Sequence, residues 1–177
     1  MRSRVLLVST VLLGLLLFAC GESQSPDQIW SEARKLSENE EHRAALETYQ
    51  QILEMEAVSD TLLAKTHFTM ADIYLNKRKK FQQALDHYRT VSENYGASRW
   101  GPKAQFMIGY VYANHIHDYD KAKTEYQTFL DIYPTHELVE AVNFELNYLG
   151  EDLDKIDQLK FLQSAEKPAE QGTGDAN

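Results

Sequence analysis

The stretch that decides the fold is residues 104–134, AQFMIGYVYANHIHDYDKAKTEYQTFLDIYP. Apolar residues recur at helical spacing on both sides of a polar turn, which predicts two amphipathic helices. Small residues stand where these helices would cross, namely Gly109 on the first and Ala122 on the second. A small residue permits close approach, and the aromatic ring of Tyr126 one turn later fills the space beside it. The stretch therefore predicts a packed helical hairpin.

The same pattern recurs along the chain, at a constant step of 38 residues on the first helices and at steps of 39 and 38 residues on the second helices. The first helix of each unit carries an aromatic residue, at Trp30, Phe68, Phe106 and Phe144. The second helix carries an alanine followed four residues later by a tyrosine, at Ala45 and Tyr49, Ala84 and Tyr88, and Ala122 and Tyr126. One hairpin cannot bury its own apolar face, so such units stack in arrays with an atypical last member. The sequence predicts an all-α solenoid of about three hairpins plus C-terminal capping helices.

These residues resemble the tetratricopeptide repeat over residues 26–150. The shared features are a small residue then Tyr on the first helix, Ala then an aromatic on the second, and Pro134 closing the third unit. The resemblance implies a solenoid whose first helices line a concave groove for an extended peptide or a partner helix. By resemblance, the partner-binding positions are Lys65, Phe68, Asp72 and Asn76 in the second unit and Lys103, Phe106, Tyr110 and Asn114 in the third. An ordinary core role for the two phenylalanines and a solvated face for the polar members remain open.

The N-terminus has the features of an export signal. Arg2 and Arg4 precede an uncharged, mainly apolar run at residues 5–19, which is followed by Cys20. A run of 15 residues is shorter than the approximately 20 that span a bilayer, so residues 1–19 are predicted to be a signal peptide. The sequence LFAC at residues 17–20 resembles the bacterial lipobox, which implies lipidation of Cys20 and a short tether at residues 20–25. A simple secretory signal, or an uncleaved anchor with an incidental cysteine, is the alternative.

Charge and cysteine content restrict the partners. Removing the signal, with Arg2 and Arg4, leaves 16 basic against 27 acidic residues, a net charge of −11 with His neutral. This charge disfavours binding of the domain as a whole to nucleic acid or anionic lipid. A single Cys excludes an internal disulfide.

Several residues predict helix boundaries. Ser25 with Gln28 forms a capping pattern, and Ser59 and Asp118 are predicted to cap later helices. Residues 135–149 are predicted to form a capping helix closed by Gly150. Residues 151–163 are predicted to form a terminal helix and residues 164–177 a disordered tail.

A basic turn stands out within the acidic chain, at residues 77–80 with the sequence KRKK. One interpretation is a solvated turn whose charges offset the dipole of the preceding helix. The other is a contact for an acidic partner or for phosphate headgroups.

The chain contains little that indicates chemistry. His115, His117 and Asp118 lie in one turn and include the ligand types that suit Zn²⁺, but no further ligand is identifiable by spacing. His67 and His87 fall within predicted helices, where packing or surface roles are expected. No zinc-protease pair, serine elbow or phosphate loop occurs, so we expect no enzyme activity, no metal, no cofactor and no small-molecule substrate.

The function expected from these features is a membrane-anchored lipoprotein scaffold of the bacterial cell envelope, held at the outer membrane and facing the periplasm. The longer repeat is similar to those of BamD-type outer-membrane assembly lipoproteins and of the Tol-Pal-associated repeat protein. The resemblance therefore implies an accessory of outer-membrane protein assembly, with β-barrel assembly components as partners. An alternative is a pilotin-like lipoprotein that assists secretin assembly. An alternative of a different class is a metal-dependent enzyme that uses the turn at His115 and His117.

Overall fold

The computed structural model describes residues 24–151, and this part of the chain is all helical. It contains no strand and has seven α-helices: α1 (Pro26–Glu38), α2 (His42–Leu53), α3 (Asp60–Asp72), α4 (Phe81–Asn94), α5 (Gly101–Val111), α6 (Tyr119–Ile132) and α7 (Val139–Asn147). The predicted signal peptide, Cys20, nearly all of the predicted terminal helix and the predicted tail lie outside the described residues.

The helices pair in chain order. Helix α1 packs on α2, α3 on α4, and α5 on α6, while α2 with α3 and α4 with α5 join neighbouring hairpins. Helix α7 packs on α6 and covers the end of the third hairpin. The predicted all-α hairpin solenoid is confirmed, with three hairpins and one capping helix in the described range.

The repeated small and aromatic residues form the core. Tyr49, Tyr88 and Tyr126 are fully buried, and so are the alanines that precede them by one turn. At Gly109 the approach is closest, because a Cβ atom added there would lie 2.5 Å from the ring of Tyr126. Glycine is therefore the residue that lets α5 and α6 pack at this distance.

The three hairpin turns share a left-handed residue that is not glycine. Glu40, Lys79 and His117 have φ of 66°, 52° and 60°. In the first hairpin the turn closes by a hydrogen bond from the amide of Glu41 to the carbonyl of Leu36. This left-handed closure is the usual way in which a helix satisfies its last carbonyls.

The second and third hairpins contain one residue more than the first between their two helices. Ala45 follows Ala33 by twelve positions in the first hairpin. In the second hairpin Ala84 follows Ala71 by thirteen positions, and in the third Ala122 follows Gly109 by thirteen. The extra residue is absorbed in a π-helical turn at Ile73–Lys77, and the third hairpin has a corresponding turn at Tyr112–Ile116. A π-helical turn accommodates an additional residue without ending the helix.

The predicted helix starts are confirmed. The Ser25 hydroxyl accepts a hydrogen bond from the amide of Gln28 at 3.3 Å, and the Gln28 side chain accepts one from the amide of Ser25 at 2.8 Å. Ser59 caps α3, and Asp118 caps α6 by accepting from the amide of Lys121 at 3.1 Å. Each cap satisfies an amide that would otherwise have no partner within its helix.

The predicted capping helix is too long at its start. Helix α7 begins at Val139 instead of residue 135, because successive turns follow Pro134. The amide of His136 donates to the carbonyl of Tyr133, and the His136 ring accepts from the amide of Leu138 at 3.2 Å. Gly150, with φ of 80°, lies in the left-handed region after the helix ends. None of the helices between residues 24 and 151 combines the length and apolarity needed to cross a bilayer.

Candidate protein-interaction surface

The aromatic residues of the first helices pack on the tyrosines of their own hairpins. Trp30 lies 5.9 Å from Tyr49, Phe68 lies 5.4 Å from Tyr88, and Phe106 lies 5.9 Å from Tyr126, measured between ring centroids. All three first-helix rings are half-buried, whereas the three tyrosines are fully buried. Each first-helix ring thus has one side in the core and leaves part of its surface exposed.

Phe144, the fourth member of the series, is 39% exposed. Its ring lies 4.8 Å from that of Tyr148 on the same helical segment. In the described range no second helix follows α7, so Phe144 lacks the buried tyrosine that its equivalents contact.

Lys65 and Phe68 lie close to tryptophans of the neighbouring units. The Lys65 Nζ atom lies 3.2 Å from the centroid of the Trp30 ring, and the Phe68 ring lies 5.0 Å from that of Trp100. Both separations are typical of cation–π and aromatic contacts. The resemblance indicated the lysine and the phenylalanine as partner-binding residues, but the sequence did not reveal their contacts with Trp30 and Trp100.

Asp72 and Asn76, the other predicted partner-binding residues of the second unit, have different surroundings. The Tyr88 hydroxyl donates a hydrogen bond of 2.5 Å to Asp72 Oδ1, so the carboxylate is engaged within its own hairpin. Burial raises the pKa of Asp72, and the hydrogen bond from Tyr88 opposes this increase. Asn76 is exposed on the π-helical turn. Of these two residues, only the asparagine has a freely accessible side chain.

In the third unit the predicted residues spread from the surface to a small cleft. Lys103 is exposed, while Tyr110 is half-buried with its ring 6.4 Å from that of Phe106. The Asn114 side chain donates to the carbonyl of Tyr110 at 3.2 Å. Asn114 also borders a cleft of about 180 Å³ that Phe144 lines from the capping helix. The four third-unit positions follow one another at helical spacing along one side of this segment, and their role in partner binding stays a prediction.

The residues of the histidine turn make structural contacts. The His115 ring stacks on Phe81 at 5.0 Å, and burial lowers its pKa, with smaller contributions from the charges of Lys79 and His117. Asp118 caps α6 and pairs with Lys121 Nζ at 2.6 Å. Over residues 24–151, no group of three His, Cys, Asp or Glu side chains is arranged to hold a metal ion.

A pair of histidines is the main feature of this region that the sequence did not reveal. The Nδ1 atoms of His67 on α3 and His87 on α4 lie 2.9 Å apart. Tyr95 stacks on His67 at 6.3 Å and Tyr74 on His87 at 5.5 Å. No spacing signal marks the pair, because its members lie on different helices of the hairpin.

All four residues of the basic turn at residues 77–80 are exposed. Arg78 borders a shallow cleft together with Glu40, Glu41 and Glu47 of the first hairpin. The basic turn of the second hairpin therefore lies beside the acidic turn of the first. The nearby acidic residues favour the interpretation of residues 77–80 as a solvated turn over the interpretation as a partner contact.

The comparison with known families identifies one repeat. The tetratricopeptide repeat model matches residues 103–136, which contain most of α5, all of α6 and the turn between them. This match supports a tetratricopeptide-repeat protein. No curated protein matches the chain.

The tetratricopeptide repeat is a non-catalytic fold that binds other proteins. The matched repeat is the third hairpin, and the first and second hairpins reproduce its pairing of a half-buried aromatic residue with a buried tyrosine. The fold thus suggests a protein–protein interaction scaffold with protein partners.

Proposed function

We propose that this protein is a lipid-anchored scaffold of the bacterial cell envelope that binds other proteins through its tetratricopeptide-like hairpins. In this proposal Cys20 carries the lipid, the outer membrane holds the protein facing the periplasm, and the partners are β-barrel assembly components. The protein acts as an accessory of outer-membrane protein assembly and catalyses no reaction.

The observation that carries the interaction role is the exposed side of the first helices. The half-buried rings of Trp30, Phe68 and Phe106 rest on buried tyrosines, so their outer edges are held in place before a partner arrives. A rigid aromatic surface binds with a small loss of side-chain entropy. Lys65 and Lys103 add positive charge to this surface.

The membrane anchor is supported by the sequence at Cys20. An uncharged run after two arginines and a lipobox-like LFAC favours lipidation over a free thiol. Two or more acyl chains hold a protein stably on a membrane, whereas one chain binds only marginally. The short tether would keep the hairpins close to the membrane surface.

Photocrosslinking in the native envelope tests the interaction role. A photoreactive residue at exposed Lys103 on α5 should capture a β-barrel assembly component, while the same probe at exposed Lys123 on α6 is the matched control on a second helix. Capture of a secretin would select the pilotin-like function instead. Equal labelling from both positions, or none from Lys103, would contradict binding by the first helices.

A separate experiment tests the anchor. The Cys20→Ser variant should lose incorporation of radioactive palmitate, with the wild-type protein labelled in parallel. Palmitate incorporation by the variant equal to that of the wild type would show that the lipid is not carried by Cys20.

A further inference from the structure

A cluster of cationic and aromatic side chains extends across α1, α3, the turn before α5 and the start of α5. We call it the cation–indole patch, and its members are Trp30, Lys65, Phe68, Arg99, Trp100 and Lys103. Arg99 Cζ and Lys103 Nζ lie 4.7 and 5.8 Å from the centroid of the Trp100 ring, as Lys65 Nζ lies over Trp30. Phe68 connects the two halves, since it contacts Trp100 and lies one turn after Lys65 on α3. The patch contains both tryptophans of the chain.

Within residues 24–151, none of the three cations of the patch is ion-paired with a carboxylate, although Asp27 is close enough to raise the pKa of Lys65. The ion pairs found there use other basic residues, namely Arg34 with Glu38, Arg43 with Glu47, Arg89 with Glu125, and Lys121 with Asp118. This is unexpected in a chain where acidic residues outnumber basic ones by 27 to 18. The patch is a local positive site on an acidic protein.

The cations also repel one another. Burial lowers the pKa of Lys65; among the neighbouring charges Asp27 has the largest effect and raises the pKa, while Arg34 and Arg99 lower it. Like charges held close together raise the free energy of the unbound protein, and carboxylates from a partner would offset this cost.

The geometry leaves hydrogen-bond donors available to an anion. An ammonium group has three N–H donors and a guanidinium group has five, and the face of a ring engages only part of them. The exposed edges of Trp30 and Trp100 add apolar surface on which a peptide backbone and its methylene groups can pack. The negative charge of the whole protein disfavours a large polyanion, so a segment with a few carboxylates fits better than nucleic acid or a lipid surface.

The spacing of the patch indicates how its ligand is built. Lys65 lies on α3 and Lys103 on α5, and these helices approach each other where the Phe68 ring meets that of Trp100, the N-cap residue of α5, at 5.0 Å. The axes of helices whose side chains are in contact lie about 10 Å apart. An extended chain advances by about 3.4 Å per residue, so carboxylates about three residues apart would reach successive helices. We propose that the cation–indole patch binds an extended acidic segment of a partner protein through such carboxylates. This inference rests on the proposed scaffold function and specifies the chemistry of the partner.

Tryptophan fluorescence of the full-length protein in detergent tests the inference. The probe is a peptide blocked at both ends, with glutamate at every third position and glycine and serine between, and its control has glutamine in place of glutamate. Because both tryptophans belong to the patch, binding there should change the emission directly. We expect saturable binding of the glutamate peptide and at least about tenfold weaker binding of the glutamine peptide, which corresponds to about 1.4 kcal/mol.

Two variants with equal loss of charge separate the patch from general electrostatics. The double variant Lys65→Gln with Arg99→Gln should weaken binding of the glutamate peptide by about tenfold or more. The double variant Lys77→Gln with Lys80→Gln, in the basic turn, should leave the affinity for this peptide within about twofold of the wild-type value. Equal weakening by both pairs, or equal binding of the two peptides, would overturn the inference.

Two other occupants are distinguished by the same assay. If Asp152→Asn, Asp154→Asn and Asp157→Asn in the full chain strengthen peptide binding, the patch holds the protein's own C-terminal segment and the partner assignment fails. A fluorescence change on addition of phosphatidylglycerol to the detergent micelles, without a change on addition of the peptide, would assign the patch to lipid and would also overturn the inference. Capture of a partner from position 103 does not require that the partner be acidic, so the scaffold function can survive the failure of this inference.

Discussion

The Nδ1 atoms of His67 and His87 lie 2.9 Å apart across the second hairpin, so one ring must donate its hydrogen to the other. The contact has room for one Nδ1 hydrogen, and the two rings therefore cannot both be imidazolium ions. Burial lowers the pKa of His67 to about 4, with a further contribution from His87, and burial also lowers the pKa of His87 although Asp86 opposes the decrease. The folded hairpin thus favours neutral histidines.

Stability should decrease in acid because of this pair. Both pKa values are lower in the folded protein than in the unfolded chain, so the unfolded chain binds more protons as the pH falls from about 6.5 to 4. The neutral histidine pair makes its full contribution to the free energy of unfolding above about pH 6.5. We expect this contribution to decrease by roughly 1 to 2 kcal/mol by pH 4, allowing for the partial exposure of the rings. Urea unfolding at several pH values measures it. A double variant, His67→Phe with His87→Phe, should show a smaller decrease, and an unchanged pH profile would contradict the assignment.

Gly109→Ala should destabilise the protein. The added methyl group would lie 2.5 Å from the buried ring of Tyr126, so α5 and α6 must separate. Overpacking of this kind costs about 1 to 3 kcal/mol, and the higher helix propensity of alanine recovers up to about 1 kcal/mol. Adding Tyr126→Leu should reduce the effect of the alanine in a double-mutant cycle of unfolding free energies. A Gly109→Ala variant as stable as the wild type would show that the ring has room to move.

Gln105→Leu should weaken the junction of the second and third hairpins. The Gln105 amide is 3% exposed, accepts from Ser92 Oγ at 2.6 Å and donates to the carbonyl and carboxylate of Glu125 at 3.0 and 2.9 Å. Leucine would leave these buried polar groups without their partner, at a cost of about 1 to 3 kcal/mol. The matched control is Gln127→Leu, an exposed glutamine that donates only to Asp131, and it should change the unfolding free energy by less than about 0.5 kcal/mol.

His117→Gly should stabilise the third turn. His117 has φ of 60°, a conformation that costs an L residue about 1 kcal/mol and costs glycine little. After allowing for the greater freedom of glycine in the unfolded chain, we expect the unfolding free energy to increase by about 0.5 kcal/mol, as measured by thermal unfolding. His117→Ala removes the same ring without relieving the backbone and should give no gain. Equal stability of the two variants would contradict the backbone explanation.

Local features of the fold were predictable because they depend on neighbouring residues. Ser25, Ser59 and Asp118 cap the helices that they were predicted to cap, since a cap involves only the first turn that follows it. The start of α7 was not predictable in the same way, because the hydrogen bonds around His136 replace a helical turn that the sequence pattern permits.

Equivalent residues also acquire different partners. Tyr49, Tyr88 and Tyr126 hold the same position in the repeat, yet the Tyr88 hydroxyl donates to Asp72 and that of Tyr126 to Glu145, 3.2 Å away. The buried Tyr49 hydroxyl has no hydrogen-bond partner within the described residues, and burial raises its pKa to about 12. The repeat pattern sets where each ring packs, but the surrounding residues that do not repeat decide what its hydroxyl meets.

The sequence by itself determined the helical hairpins, their order, their buried alanines and tyrosines, and several of the caps, because periodicity and capping act over one or two helical turns. Only the tertiary structure decided that His67 meets His87 and that Lys65 lies over Trp30. Those contacts join different helices, and they depend on the rotation and separation of packed helices. The π-helical turn at Ile73–Lys77 and close approaches such as that at Gly109 are part of this packing, which a one-dimensional pattern does not specify.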